Sequence, residues 1–89
     1  MAEVTVTIQH PTGLHARPAA LFVQAASRFR SQIEVQANGK TANAKSMMAI
    51  LGLGARQGTV LTIRAEGDDA AEAVAALKEL VETNFGEGS

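Results

Sequence analysis

Residues 4–29, VTVTIQHPTGLHARPAALFVQAASRF, join two different hydrophobic periodicities. The first six residues alternate apolar and polar side chains, which predicts a half-buried β-strand. The tetrapeptide HPTG follows, and its proline and glycine are typical of a turn. From Ala16 to about Arg30 the apolar side chains recur at helical spacing, so we expect an amphipathic helix. The apolar stripe of this helix consists of Ala19, Phe22, Val23, Ala26 and Phe29.

The middle of the chain contains a hairpin and a short helix. In QIEVQANGKTANA, Ile33, Val35 and Ala37 alternate with polar residues, and Asn38-Gly39 is a pair typical of the two-residue turn of a β-hairpin. KSMMAIL follows and predicts a short helix that ends at Gly52 and Gly54. These segments add two strands and one helix to the first strand and the first helix.

The last third of the chain contains one more strand and one more helix. TVLTIRAEG alternates and therefore predicts a fourth strand. Asp69 and Glu72 have the spacing of a capping box, so the final helix is expected to begin there, and Gly86 is its expected end. The inward-facing stripe of this helix consists of Val74, Leu77, Leu80 and Val81. The complete element order is β-α-β-β-α-β-α.

This order, with one apolar face on each element, predicts an α+β fold. Three helices would cover one face of a four-stranded sheet, because each element must bury its apolar face. The opposite face would meet water, since it carries Thr5, Thr7, Glu34, Gln36, Thr62 and Arg64. The pattern alone does not fix the strand order. A length of 89 residues is suited to a single domain, residues 1–89.

Composition and charge exclude several classes of protein. Hydrophobic residues make up 46% of the chain, too many for a disordered segment. A net charge of −1 argues against nucleic acid as a partner, because such proteins usually have a basic excess. The absence of cysteine excludes disulfides and thiolate metal sites. The longest apolar run, MMAILGLGA, is too short for membrane insertion, and MAEVTVTIQ does not have the pattern of a signal peptide. We expect a cytoplasmic protein.

TGLHARPAA, residues 12–20, places a histidine and an arginine at the start of the first helix. His15 is expected at or beside the N-cap, where the N–H groups of Ala16 and Arg17 have no partner within the helix. Such a helix end binds anions, and a guanidinium binds phosphate in bidentate fashion. A neutral imidazole is a competent nucleophile. His15 is therefore a candidate phosphoryl acceptor, with Arg17 as the cation that stabilises the group. This chemistry requires no metal or other cofactor.

A second candidate region is AKSMMAILGLGARQG, in which Ser46 is expected to cap the short helix. A short helix that is apolar on every side cannot bury all of them, so its exposed side is a candidate docking patch. Methionine suits a surface that contacts several partners, although flexible methionines also fill gaps in cores. We expect the partner-binding residues to be Ala20, Met47, Met48 and Leu51.

With both motifs present, the sequence closely resembles HPr, the histidine-containing phosphocarrier of the bacterial phosphoenolpyruvate-dependent sugar phosphotransferase system. GLHARPA matches the active-site signature of that family, and AKSMMAILGLGARQG resembles its second signature. The resemblance covers essentially the whole chain, including its length and element order. It implies an open-faced β-sandwich with the antiparallel strand order 1-4-2-3.

The resemblance also implies a mechanism and partners. Enzyme I, charged by phosphoenolpyruvate, would transfer its phosphoryl group to Nδ1 of His15, and Arg17 would stabilise the phosphoryl oxygens. Sugar-specific enzyme II A-type domains would then take the group, so the protein would be a transfer partner without turnover of its own. In many Gram-positive relatives the serine at the position of Ser46 is phosphorylated by HPr kinase/phosphorylase. We expect the protein to be a monomer.

Other interpretations remain open from the sequence. A related phosphocarrier of a nitrogen-linked system or of a dihydroxyacetone kinase would keep the histidine chemistry and change the partners. A purely regulatory HPr-like protein typically lacks the histidine, so His15 argues against that role. A ferredoxin-like ligand-binding module would share most of the element order, but it gives no reason for His15 and Arg17 to coincide at a helix start. Among the remaining polar residues, His10, Lys40 and Lys45 are expected to be solvated.

Overall fold

The alternating segments form one antiparallel sheet in the computed structural model of the protein, which describes residues 1–86. Along the chain, the elements are β1 (Ala2–Thr7), α1 (Ala16–Ala26), β2 (Gln32–Ala37), β3 (Lys40–Asn43), α2 (Met47–Gly52), β4 (Val60–Glu66), α3 (Ala70–Glu82) and a 3₁₀ turn (Asn84–Gly86). The strand order is β1-β4-β2-β3, as the family resemblance implied. Residues 87–89, the end of the expected domain 1–89, lie outside the described residues.

The strand register aligns the apolar side chains of neighbouring strands on one face of the sheet. Ile63 of β4 pairs with Val4 of β1 on one side and with Val35 of β2 on the other. Because side chains alternate along each strand, the next register position puts Thr62 beside Thr5 and Gln36 on the opposite face. The polar face predicted from the sequence is confirmed, since the side chains on it are exposed or half-buried.

The helices bury their apolar stripes against the apolar face of the sheet. The largest fully buried side chains include Phe22, Ile50, Leu53, Leu61, Ile63, Leu77 and Val81. Val23, Phe29 and Leu80, which were expected in the inner stripes, are half-buried and pack against the edge of this core. Within residues 1–86, no helix is long and apolar enough to cross a membrane.

The first helix ends at Ala26, four residues before the expected end near Arg30. The hydroxyl of Ser27 donates a hydrogen bond to the carbonyl oxygen of Val23, and this bond occupies a carbonyl at the helix end. Phe29 then donates its N–H to Ala26 in a tighter turn. The apolar periodicity continues through this turn, which is why the sequence suggested a longer helix.

The capping box expected at Asp69 and Glu72 is wrong. Asp69 is the N-cap residue of α3, but its carboxylate makes no capping hydrogen bond. Instead it accepts hydrogen bonds from the N–H groups of Arg30 and Ser31, at 2.8 and 3.0 Å, and from the hydroxyl of Ser31. These bonds lower the pKa of Asp69 below its usual value, with the Ser31 hydroxyl as the largest cause. Asp69 therefore joins the α1–β2 connection to the start of α3.

Two further expectations need correction. The last helix ends at Glu82 rather than at Gly86, because the hydroxyl of Thr83 donates to the carbonyl of Glu79.

The two lysines around the hairpin are not simply solvated. Lys40 Nζ donates to the carbonyl of Gly52, at the end of α2, and Lys45 Nζ donates to the carbonyl of Phe29, at 3.2 and 2.8 Å. Both bonds place a cation beside carbonyls that a helix or turn leaves unpaired.

Candidate functional site

The candidate site begins with a tight loop between β1 and α1. The carbonyl of His10 accepts a hydrogen bond from the N–H of Gly13 at 3.0 Å, which closes a turn around Pro11. Leu14 then donates its N–H to the carbonyl of Ala55 at 3.0 Å, and its side chain is buried. The loop is thereby attached to the segment that follows α2.

Gly13 has a structural role that the sequence analysis did not assign. Its φ is +67°, which is the left-handed region. A Cβ atom at this position would lie 2.6 Å from the carbonyl oxygen of Ala55 and 2.7 Å from Cα of Arg56. Glycine therefore permits both the turn and the close approach of two backbones. In the sequence, this role is indicated by the position of the glycine two residues before His15.

His15 is the N-cap residue of α1, as expected. Its backbone is extended, with φ −101° and ψ −166°, and its carbonyl accepts the first helical hydrogen bond, from Ala19 at 2.9 Å. Its side chain is exposed and makes no capping hydrogen bond. The imidazole is therefore presented to solvent at the positive end of a helix.

The first turn of α1 provides the groups that an anion would contact. Ala16 and Arg17 are exposed, and their N–H groups precede the first hydrogen bond within the helix. Pro18 and Ala19 are buried and hold this turn on the core. The arrangement can bind a phosphate with main-chain N–H groups and a guanidinium. Among residues 1–86, no three His, Cys, Asp or Glu side chains are grouped as metal ligands.

His10 is a member of this site that the sequence analysis missed. It is half-buried rather than solvated. Its ring lies edge-on to that of His15, with the centroids 6.1 Å apart and the planes at 66°. On another side it contacts Phe85 of the 3₁₀ turn, with the centroids 6.0 Å apart. The residue before Pro11 carried no sequence signal for this contact, because the end of the chain supplies the second ring.

The second candidate region is arranged largely as expected. Ser46 is the N-cap of α2, and its hydroxyl oxygen accepts a hydrogen bond from the N–H of Ala49 at 3.3 Å. Met48 and Leu51 are exposed, at 83% and 37%, whereas Met47 is half-buried and packs against the core. Met47 therefore contributes less to an exposed patch than expected. Ala20 of α1 is half-buried.

The structure brings the two helices of the candidate site into contact. α1 packs against α2, and the loop before α1 is bonded to the segment after α2 through Leu14 and Ala55. His15, Ala16 and Arg17 lie in one helical turn. A surface that joins His15 to Ser46 and Met48 remains a prediction.

Comparison with known proteins relates the whole chain to one family. The family model described as the PTS HPr component phosphorylation site matches residues 2–83. The HPr-like protein Crh of Halalkalibacterium halodurans is 46% identical over 82 residues, which cover 92% of this chain and 98% of that protein.

Two solved structures show the same fold. The crystal structure of an HPr from Thermoanaerobacter tengcongensis is 57% identical, covers 100% of both chains and has a TM-score of 0.95. Crh of Bacillus subtilis, described as a catabolite repression protein that forms a dimer with a swapped domain, is 44% identical with a TM-score of 0.73. That match covers 92% of this chain and 94% of Crh.

Proposed function

The chain belongs to the HPr family of phosphocarriers, and from that premise we propose that it receives a phosphoryl group on His15. Enzyme I, charged by phosphoenolpyruvate, is the donor, and enzyme II A-type domains of sugar transport are the acceptors. The observation that carries the proposal is the exposed imidazole of His15 at the N-cap of α1, in the same helical turn as Arg17. The protein acts in the cytoplasm as a monomeric carrier, and it has no independent turnover.

The transfer is a displacement at phosphorus. The lone pair of Nδ1 of His15 forms the new N–P bond, while the bond from phosphorus to the donor breaks and its electron pair returns to the donor. The Nε2 proton stays on the ring. Passing the group to a II A-type domain reverses these roles, because the acceptor attacks phosphorus and the N–P electron pair returns to Nδ1. The result is a phosphohistidine that is formed and consumed by partner proteins.

The surroundings of His15 supply positive charge to the phosphoryl group. The N–H groups of Ala16 and Arg17 form a backbone anion site, and the helix dipole adds a partial positive charge. The guanidinium of Arg17 stabilises the phosphoryl oxygens, since its planar fork of N–H donors can bond two of these oxygens at once. The exposed surface leaves room for large partners on both sides of the transfer.

Docking and regulation are assigned to the second region. Partners contact the exposed side of α2 at Met48 and Leu51, together with the half-buried Ala20 and Met47. Phosphorylation of Ser46 by an HPr kinase/phosphorylase would add about −1.5 to −2 charges beside this patch and weaken docking. Ser46 keeps its capping role in the unmodified protein.

The test is phosphorylation by enzyme I, phosphoenolpyruvate and Mg²⁺, followed by mass spectrometry. We expect one acid-labile phosphoryl group on the wild type. His15→Ala should abolish the label and keep the fold, because its side chain makes no capping hydrogen bond. His10→Ala removes the other histidine and should still reach one label per molecule when the reaction runs to completion. An acid-labile label on His15→Ala would refute the assigned acceptor.

Arg17 is tested by the rate of the same reaction. We expect Arg17→Ala to slow transfer from enzyme I roughly 10- to 100-fold, because it removes a cation from the transferring group. Arg28→Ala removes another exposed arginine, just beyond the other end of α1, and should leave the rate unchanged. Stopped-flow measurements compare the transfer rates of the two variants, and thermal melts check that both are folded. Equal rates in the two variants would remove Arg17 from the site.

A regulatory role is the second candidate function. The similarity to an HPr-like protein named Crh favours it, whereas the presence of His15 favours the carrier. A carrier of a nitrogen-linked or dihydroxyacetone-kinase system is distinguished by its donor. Parallel labelling with sugar-branch and nitrogen-branch enzyme I identifies the branch, and labelling by neither enzyme leaves the regulatory role.

A further inference from the structure

We propose that His10 is a positioning residue for His15, and that Thr12 and Phe85 hold His10 in place. The inference rests on the proposed function of His15 as the phosphoryl acceptor and adds a residue to it. His10, Thr12 and Phe85 form the supporting cluster. They come from the loop before α1 and from the 3₁₀ turn after α3.

The ring of His10 is fixed by two contacts to Thr12. Its Nδ1 lies 3.2 Å from the main-chain nitrogen of Thr12 and 2.8 Å from the Thr12 hydroxyl. Because a main-chain N–H can only donate, Nδ1 accepts, and the neutral ring carries its proton on Nε2. The same turn is closed by the carbonyl of His10, which accepts from Gly13. Backbone and side chain of His10 are thus both anchored.

Phe85 limits the movement of His10 on another side. The phenyl ring is 3% exposed and meets the imidazole edge-on at a centroid distance of 6.0 Å. Phe85 adopts φ +59° and ψ +28°, a left-handed conformation that is unfavourable for a large side chain. Burial of the ring compensates for this strain. The end of the described chain therefore contacts the histidine pair through the ring of Phe85.

His15 depends on this contact for its orientation. Its side chain makes no capping hydrogen bond, and its ring meets His10 at 66° and 6.1 Å, the geometry of a favourable edge-to-face pair. An exposed imidazole without such a neighbour samples several rotamers. The supporting cluster reduces that sampling, so that the attacking nitrogen spends more time in the orientation used for transfer.

The first measurement does not depend on any enzyme. We expect the NMR three-bond couplings between Hα and Hβ of His15 to report one χ1 rotamer in the wild type and an average in His10→Ala. His10→Phe keeps a ring at the position and should restore the single rotamer. Gln9→Ala, a change at an exposed neighbouring side chain, is the control and should match the wild type. Identical His15 couplings in the wild type and in His10→Ala would overturn the proposal.

The second measurement is steady-state transfer from enzyme I. We expect kcat for His10→Ala to fall roughly 3- to 10-fold, in keeping with the loss of one edge-to-face contact, while KM stays unchanged. His10→Phe should recover most of the rate, because an aromatic ring is again present. A loss that appears in KM alone would assign His10 to partner binding and contradict the positioning role.

Two further controls keep the result decisive. Thr12→Val removes the hydroxyl but keeps the N–H donor. The protein should remain folded, and its His15 couplings should lie between those of the wild type and those of His10→Ala. Non-enzymatic phosphorylation with phosphoramidate, in which the N–P bond to His15 forms as ammonia leaves, should slow in parallel with kcat. If enzyme I does not label the wild type, the proposed function fails while the couplings still test the positioning role.

Discussion

At the scale of single residues, Gly13 connects the site to the rest of the molecule through backbone contact alone. The loop that carries His15 passes so close to Ala55 and Arg56 that a methyl group does not fit between them. The hydrogen bond from Leu14 to Ala55 holds the two segments together at that point. The position of His15 therefore depends on a residue that has no functional group.

Gly13→Ala is expected to destabilise the protein by about 2–3 kcal/mol. The substitution places a Cβ at positive φ and also forces two backbones apart. Gly54→Ala is the matched control, because Gly54 also has a positive φ, +63°, but a Cβ there would meet no atom within 4 Å other than those of its chain neighbours. That variant should lose only about 1 kcal/mol. Urea unfolding of the two variants measures the difference. Equal decreases in the free energy of unfolding would show that the close approach at Gly13 does not add to the destabilisation.

At the scale of elements, α2 combines a capped start with an exposed apolar side. Ser46 satisfies the N–H of Ala49, and Met48 and Leu51 remain accessible beyond the cap. Ser46 therefore caps the helix that carries the proposed docking patch.

Substitutions of Ser46 should separate these two effects. Ser46→Ala removes the cap and should cost about 1 kcal/mol in a thermal or urea melt. Ser46→Asp keeps an acceptor at a helix N-terminus, so its melting temperature should be equal or higher. Its affinity for enzyme I should fall by roughly threefold or more at low salt, because the charge is hydrated and lies beside an apolar contact.

Calorimetry supplies the binding comparison for Ser46→Asp. Ser27→Asp adds the same charge at the end of α1 and should leave the affinity unchanged. Unchanged affinity for Ser46→Asp at low salt would reject a surface shared by His15 and α2.

The carboxylate of Asp69 joins two connections, and its contribution depends on pH. The Ser31 hydroxyl, followed by the N–H of Arg30, lowers the pKa of Asp69 in the folded state. A lowered folded pKa stabilises the protein at pH values above the unfolded pKa, near 3.8, and this stabilisation is lost as pH falls through the folded value. Asp69→Asn should therefore be less stable than the wild type at pH 7, and the difference should shrink below about pH 4.

The measurement is urea unfolding between pH 7 and pH 2.5. Asp68→Asn, at the exposed neighbouring position, is the control and should run parallel to the wild type across this range. A constant difference between the wild type and Asp69→Asn at every pH would exclude the ionised carboxylate as the stabilising group.

At the scale of the whole molecule, local patterns predicted most of the architecture. Alternation located the four strands, Asn38-Gly39 located the hairpin turn, and both residues have positive φ as such a turn requires. The N-cap positions of His15 and Ser46 followed from where helical periodicity begins. The strand order came from family resemblance, since pairing between distant segments leaves no trace in local periodicity.

The contacts that could not be predicted are those between segments far apart in sequence. Asp69 has the correct spacing for a capping box, yet it binds Arg30 and Ser31 across 39 and 38 positions, respectively. His10 has an ordinary turn environment locally, and only the folded chain brings Phe85 to it. Asp69 was misjudged because a tertiary partner competed with the local one. His10 was misjudged because a tertiary contact was added to its local ones.

The oligomeric state of the protein is predicted from its exposed sheet face and its edge strand. We expect a monomer of 9.3 kDa, because the open sheet face is polar and the edge strand β3 has only four residues. Light scattering after size exclusion measures the mass. Crh of Bacillus subtilis forms a dimer with a swapped domain, so a mass of twice the expected value would indicate that this chain shares that behaviour.

The uncovered polar face of the sheet has a practical consequence. It lies on the opposite side from the helices, and the sequence has no cysteine. A Gln36→Cys substitution on that face would therefore give one unique thiol for attaching a dye or a linker to a sensor chip. A protein tethered there presents His15 and α2 outward in every copy, so that binding rates are measured on a uniformly oriented population.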